Sequence, residues 1–212
     1  MPAFKARLEE VLTDDHPHFL PCFPKPLRTK IVDNMVGHGL YWQLEHQDAL
    51  HAYCEAMIGI AANFDAVPAI AKRMQAEVSL STVFPDVIET LPVDLKREAS
   101  ADGSNLPFFV PSSLRSSSLA EQTAHALTIV LYDRPEADSP HPATNAAIAM
   151  AGEFGWAALA DGALIAATAK AFWGPQFTRL PWYNEFRFEP WSPREQLELV
   201  RLRLALEFGR FA

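Results

Sequence analysis

Apolar residues recur at three- and four-residue steps along most of this chain, which is the period of an amphipathic helix. Phe4, Leu8, Val11 and Leu12 predict a helix over 3–12. Pro17, Pro21, Pro24 and Pro26 then break the chain into a stiff connector. A second helix is expected from Pro26, with Leu27, Ile31, Met35 and Val36 on one side and a stop at Gly37 or Gly39. Leu50, Tyr53, Cys54, Met57, Ile58 and Ala61 place a third helix at about 46–62. Asn63-Phe64-Asp65 ends it, and Pro68 opens a short helix holding Ile70 and Met74.

Residues 79–118 read differently. Prolines 85, 92, 107 and 111 lead into Ser112, Ser113 and Ser116 to Ser118, so this stretch is expected to be a connection with one short helix at 86–98. Residues 119–132 carry both helix and strand signals, and helix is favoured. A Pro/Asp-rich loop over 133–142 precedes alanine-rich helices at 143–153 and 157–172. Ser192-Pro193-Arg194-Glu195 is a capping box with proline at the first helical position, and its helix should run to Phe208 and stop at Gly209. The expectation is an all-α, multi-helix bundle: an N-terminal module over 1–78, the connection over 79–118 and a C-terminal module over 119–212, or one compact domain overall.

The two halves echo one another. Gly39 is followed by a helix and then Phe64-x-x-x-Pro68; Gly155 is followed by a helix and then Phe177-x-x-x-Pro181. In this unit the glycine would allow a left-handed turn, the Phe would plug the bundle end, and the Pro would start the next helix. The Gly-to-Phe spacing is 25 residues in the first half and 22 in the second, so a duplication requires a short insertion.

The unit resembles one found in small helical proteins encoded beside type VI secretion effectors, spike proteins and adaptors of Gram-negative bacteria. The likeness covers roughly 20–75 and, more weakly, 143–185. The first copy keeps Phe64, Asp65 and Pro68 but has Ala61-Ala62 where Gly-Pro is usual; the second keeps Gly174-Pro175 and Phe177 but has Thr178 for Asp. The resemblance implies a cytoplasmic accessory role: loading an effector, assisting an adaptor, or neutralising a toxin. It carries over no catalytic residue.

Composition narrows the partners. A formal net charge of −8 repels phosphate backbones and anionic membranes, while a basic protein partner is compatible with it. The start of the chain turns charged at once, and the apolar stretch from Trp156 to Trp173 contains Asp161 and Lys170, so it reads as a core helix rather than a span. Cys22 and Cys54 are too few for a disulfide framework or zinc cluster and are expected to be buried or half-buried.

Candidate chemistry is sparse. There is no Gly-x-Ser-x-Gly elbow, phosphate loop or dinucleotide fingerprint. His46 and His51 are five apart and diverge on a helix, whereas His51 and Glu55, four apart, can form a surface pair. Asp14, Asp15, His16 and His18 read as a solvated helix end, and no cofactor or metal is expected. The segment 172–191 concentrates Phe172, Trp173, Phe177, Trp182, Tyr183, Phe186, Phe188 and Trp191 with Arg179 and Arg187. Aromatics and Arg are enriched where proteins meet proteins. Trp182, Tyr183, Arg187 and Trp191 are therefore the expected partner contacts, and Phe64 and Phe177 the expected core. The resulting expectation is a non-catalytic adaptor or co-chaperone for a secreted effector. The alternatives are an immunity protein that blocks a toxin, or a hydrolase whose triad is assembled only by folding.

Overall fold

The computed structural model describes residues 1–101, 103–138, 140–187 and 191–211, with the side chains of 136, 140–143 and 185–187 outside that description. Among the described residues there are twelve α-helices and no strand. No described helix is long and apolar enough to cross a membrane. The chain divides into two units, Met1–Pro21 with Arg28–Ser116, and Cys22–Leu27 with Ser117–Ala212.

The first unit holds α1 (Pro2–Asp15), most of α2 (Lys25–Tyr41), α3 (Gln47–Gly59), α4 (Pro68–Ala76), α5 (Leu80–Glu89), α6 (Val93–Ala101) and α7 (Leu106–Phe109). Its core follows the helical spacing: Leu8 and Leu12 from α1, Ile31 and Met35 from α2, Leu50, Tyr53 and Met57 from α3 are all sealed from solvent. Tyr53 packs its ring 5.2 Å from Phe64 and 5.7 Å from Phe84.

Two expectations about this unit need correction. The helix α2 runs through Gly37 and Gly39 to Tyr41. Gly39 serves close packing instead: a Cβ there would come within 2.8 Å of the Leu50 side chain. The left-handed turn out of α2 is made by Gln43, at φ 60°. The second correction concerns the connection over 79–118, of which residues up to Ser116 are a folded part of the first unit. Phe84, Val87, Leu91, Ala99, Leu106, Phe108, Phe109 and Val110 are all buried, which is enough apolar surface to hold three helices in place. The single helix expected over 86–98 is broken between Glu89 and Val93, where Pro92 precedes α6.

The second unit holds α8 (Leu119–Val130), α9 (Pro140–Glu153), α10 (Gly162–Trp173), α11 (Pro181–Arg187) and α12 (Pro193–Phe208). Ala147 and Ala151 of α9 and Ala166 and Ala169 of α10 are fully buried, so small side chains let these helices approach. The ambiguous 119–132 run is helix, because Ser118 and Glu121 form a reciprocal capping box at its start. The expected cap on α12 forms the same way: the Ser192 N–H donates to Glu195 Oε2 at 2.7 Å. Gly209 closes α12 in the left-handed region at φ 61°. Gly155 also takes a left-handed conformation, at φ 71°, as the echo requires of it.

The Phe-x-x-x-Pro segments adopt one conformation in both units. After α3, Asn63 sits at φ −108°, ψ 24°, Phe64–Ala66 make one 3₁₀ turn, and Val67 is extended at φ −66°, ψ 120° before Pro68 starts α4. After α10, Gln176 sits at φ −109°, ψ 26°, Phe177–Arg179 make the turn, and Leu180 is extended at φ −63°, ψ 142° before Pro181 starts α11. Proline excludes its predecessor from the helical region, which fixes Val67 and Leu180. The Val67 N–H donates to the Phe64 carbonyl at 3.3 Å, and the Leu180 N–H to that of Phe177 at 3.0 Å. Phe64 and Phe177 are both completely buried, one in the core of each unit.

Candidate functional site

The turn that buries Phe64 also buries the next residue, Asp65. One oxygen of this carboxylate, Oδ2, accepts three bonds: from Trp42 Nε1 at 2.6 Å, from the Tyr53 hydroxyl at 2.5 Å and from the Arg115 guanidinium at 2.6 Å. Arg115 also stands 5.0 Å over the Tyr41 ring and 5.9 Å over Trp42. A buried carboxylate is tolerable only with such partners. Burial pushes the Tyr53 hydroxyl well above the usual tyrosine range, and the charge of Asp65 and the bond to it push the same way. Burial opposes the Arg115 charge, but the Asp65 bond and charge outweigh it and raise the guanidinium pKa further. Both shifts favour the protonated forms of Tyr53 and Arg115, the forms that donate to Asp65. Its role is to tie the turn to α3, to the end of α2 and to the segment after α7.

His38, also buried, bonds through Nε2 to the Val110 carbonyl at 2.9 Å and has its pKa lowered mainly by burial. Burial pushes the Cys54 thiol far up, so it is an inert core group. Cys22 departs from expectation and is exposed.

In the second unit Thr178 occupies the position of Asp65, and the surroundings are aromatic. Phe177 lies 5.7 Å from Tyr183 and 6.3 Å from Phe154, which in turn is 4.9 Å from Trp156. Trp156 is fully buried, and its indole N–H finds no acceptor among the described residues.

The four expected partner contacts separate in the structure. Trp182 is half-buried, 5.0 Å from the Trp173 ring, with the Arg203 guanidinium 5.0 Å above its face. Trp191 is also half-buried, and its carbonyl accepts from Gln196 Nε2. Tyr183 is a correction: it is only 7% exposed, because its ring fills the cluster around Phe177. The Arg187 and Phe186 side chains and the whole of Phe188 lie outside the described residues.

Beside Trp182 the structure exposes residues that the sequence reading passed over. Leu197, Val200 and Leu204 of α12 face inward, whereas Leu202 is 50% and Leu206 82% exposed. Arg203, on the same helix, stands over the Trp182 ring and pairs with Glu207 at 3.2 Å. A signal for this face was present in the sequence. Leu199, Leu202 and Leu206 form a second apolar stripe at three- and four-residue steps, alongside the one that packs inward.

Comparison with family models, curated proteins and solved structures finds no match for this chain. Any functional reading therefore rests on its own residues. What the second unit offers chemically is an apolar and aromatic face with a cation held over an indole. That combination contributes strongly to binding when a partner excludes water from it.

Proposed function

We propose that this chain is a non-catalytic protein-binding accessory protein, an adaptor or co-chaperone for a secreted bacterial effector, acting in the cytoplasm. The observation that carries the reading is the exposed face of α12. Leu202 and Leu206 stand in solvent beside the Arg203–Trp182 stack. A stacked Trp–Arg pair has the composition of a protein-binding hot spot, and the exposed leucines of the same helix add apolar area to that face. The kind of partner is part of the proposal and comes from the resemblance of the Phe64 and Phe177 segments to proteins encoded beside type VI secretion effectors. The net charge of −8 favours a partner with a basic surface.

The test is affinity purification of the full chain from its host at native expression, alongside a Leu206→Glu variant. Recovery of a secretion effector or its adaptor with the wild type, and its loss with the variant, is the expected result. Recovery of the bait alone, or of the same proteins with both, rejects the proposal. The same acidity also suits an immunity protein that covers a basic toxin. Gene deletion separates the two: self-poisoning by a neighbouring toxin marks immunity, and lost secretion without poisoning marks an adaptor.

A further inference from the structure

The end of α1 and one face of α3 bring together side chains that the sequence keeps apart. His51 and Glu55 are one turn apart on α3, with His51 Nε2 3.4 Å from Glu55 Oε1. Asp15, the last residue of α1, completes a trio whose ligating atoms all lie within 4.8 Å of one another. The other Glu55 oxygen, Oε2, is held by His16 Nε2 at 2.9 Å.

Two features separate this cluster from an ordinary surface ion pair. His51 Nε2 and Glu55 Oε1 are themselves shielded and make no hydrogen bond, although their side chains are 39% and 36% exposed and the two atoms stand 3.4 Å apart as an ion-pair contact. That contact is too poorly aligned to be a hydrogen bond, and a cation between the two atoms would satisfy both. Their 3.4 Å separation matches the edge of a tetrahedral zinc site, where ligand atoms stand roughly 3.3–3.6 Å apart. The second feature is the field. The carbonyl end of α1 is the negative end of its dipole, and its last turn carries no basic residue while ending in Asp14-Asp15. A cation placed there would meet two carboxylates, one imidazole and the helix terminus.

We infer that Asp15, His51 and Glu55 bind a divalent first-row metal ion of the zinc class. His16 is a positioning residue that fixes the Glu55 carboxylate from behind. One nitrogen and two oxygen ligands suit zinc, and a ligating carboxylate is itself commonly held by a hydrogen bond from outside the ligand set, as His16 holds Glu55. The ion joins α1 to α3 within the first unit. The inference rests on that unit alone and is independent of the docking role proposed for α12.

The experiment uses the full chain, stripped with a chelator and titrated with Zn(II) against a chromogenic competitor. Co(II) serves as a visible-absorbance probe of tetrahedral ligation. One zinc per chain is expected, with Co(II) bands of tetrahedral type. His51→Ala and Glu55→Gln should each weaken binding at least about tenfold and abolish those bands, and His16→Ala should weaken it about tenfold while keeping the stoichiometry. His46→Ala, at the N-cap of α3, should bind like the wild type. Circular dichroism checks that each variant folds, and Glu55→Gln is conservative enough to decide the matter if His51→Ala fails. A wild-type chain that takes up no stoichiometric zinc overturns the inference. So does a folded Glu55→Gln variant that binds zinc as tightly as the wild type.

Discussion

The first unit and the second contain the same turn and fill it differently. Around Phe64 the turn delivers a carboxylate, Asp65, into a cage of Trp42, Tyr53 and Arg115. Around Phe177 it delivers Thr178 beside a cluster of rings that includes Tyr183, Phe154 and Trp156. The backbone of the turn depends on an apolar plug and a proline, and both copies keep them. The residue after the plug is free to vary, and it decides whether the unit is tied by charge or by packing. The difference also appears at two tryptophans at matching distances before the plug, 22 residues for Trp42 and 21 for Trp156. The Trp42 indole N–H has its carboxylate, and that of Trp156 has no acceptor among the described residues.

The largest expected effect is at the charged centre. Asp65→Ala strands a partly buried guanidinium and a buried hydroxyl and should cost about 3–5 kcal/mol in urea unfolding. Thr178→Ala, at the matching position, should cost under about 1 kcal/mol. Equal losses would mean that the two turns are held in the same way. Next are the tryptophans. Trp42→Phe gives up a bond to a charged acceptor, about 1.5–3 kcal/mol, whereas Trp156→Phe gives up no hydrogen bond and should cost only what the smaller ring leaves unfilled at that fully buried site, about 1–2 kcal/mol. A loss at Trp156 above about 3 kcal/mol, beyond what the cavity accounts for, would reveal an acceptor for it.

Acid should weaken the first unit through His38. Its pKa in the folded state lies below 6.5, mainly because of burial, with the Val110 bond and Asp65 pulling it up and Arg115 pushing it down. The unfolded chain therefore takes the proton first. The stability held by the neutral ring is complete above the ordinary histidine value and is lost as pH falls below it. Unfolding midpoints measured at about pH 7.5 and about pH 5.5 should drop in the wild type and drop less in His38→Gln. Smaller effects than at the charged centre are expected at the caps of the second unit, where Ser118→Ala and Ser192→Ala should each cost about 1 kcal/mol in thermal melts. Glu121 is held below the ordinary glutamate range by the Ser118 backbone N–H and then its hydroxyl. Glu195 is held there by the Ser192 hydroxyl and then its backbone N–H. The contribution of both caps is present above that range and fades as pH falls through the depressed values.

Local rules made much of the fold legible. The α12 cap and its glycine stop, the proline starts of α4 and α11, and the buried Phe64 and Phe177 all follow from spacing and backbone restriction. The misreadings came from tertiary context. Gly39 looked like a helix end, but it is a contact with Leu50. Proline and serine over 79–118 suggested a linker, yet the apolar residues between them supply core. Tyr183 could not be told from Trp182 by composition, because only packing decides which ring faces inward. The cluster at Asp15, His51 and Glu55 joins positions 36 residues apart, and helical periodicity carries no information about that pairing.

The docking face on α12 is tested most directly by measuring the affinity of the co-purified partner for the wild-type chain and for Leu206→Glu, with helicity checked in both. The account predicts a folded variant that binds at least about tenfold more weakly, the scale of a hot-spot loss. A folded variant with unchanged affinity would contradict it.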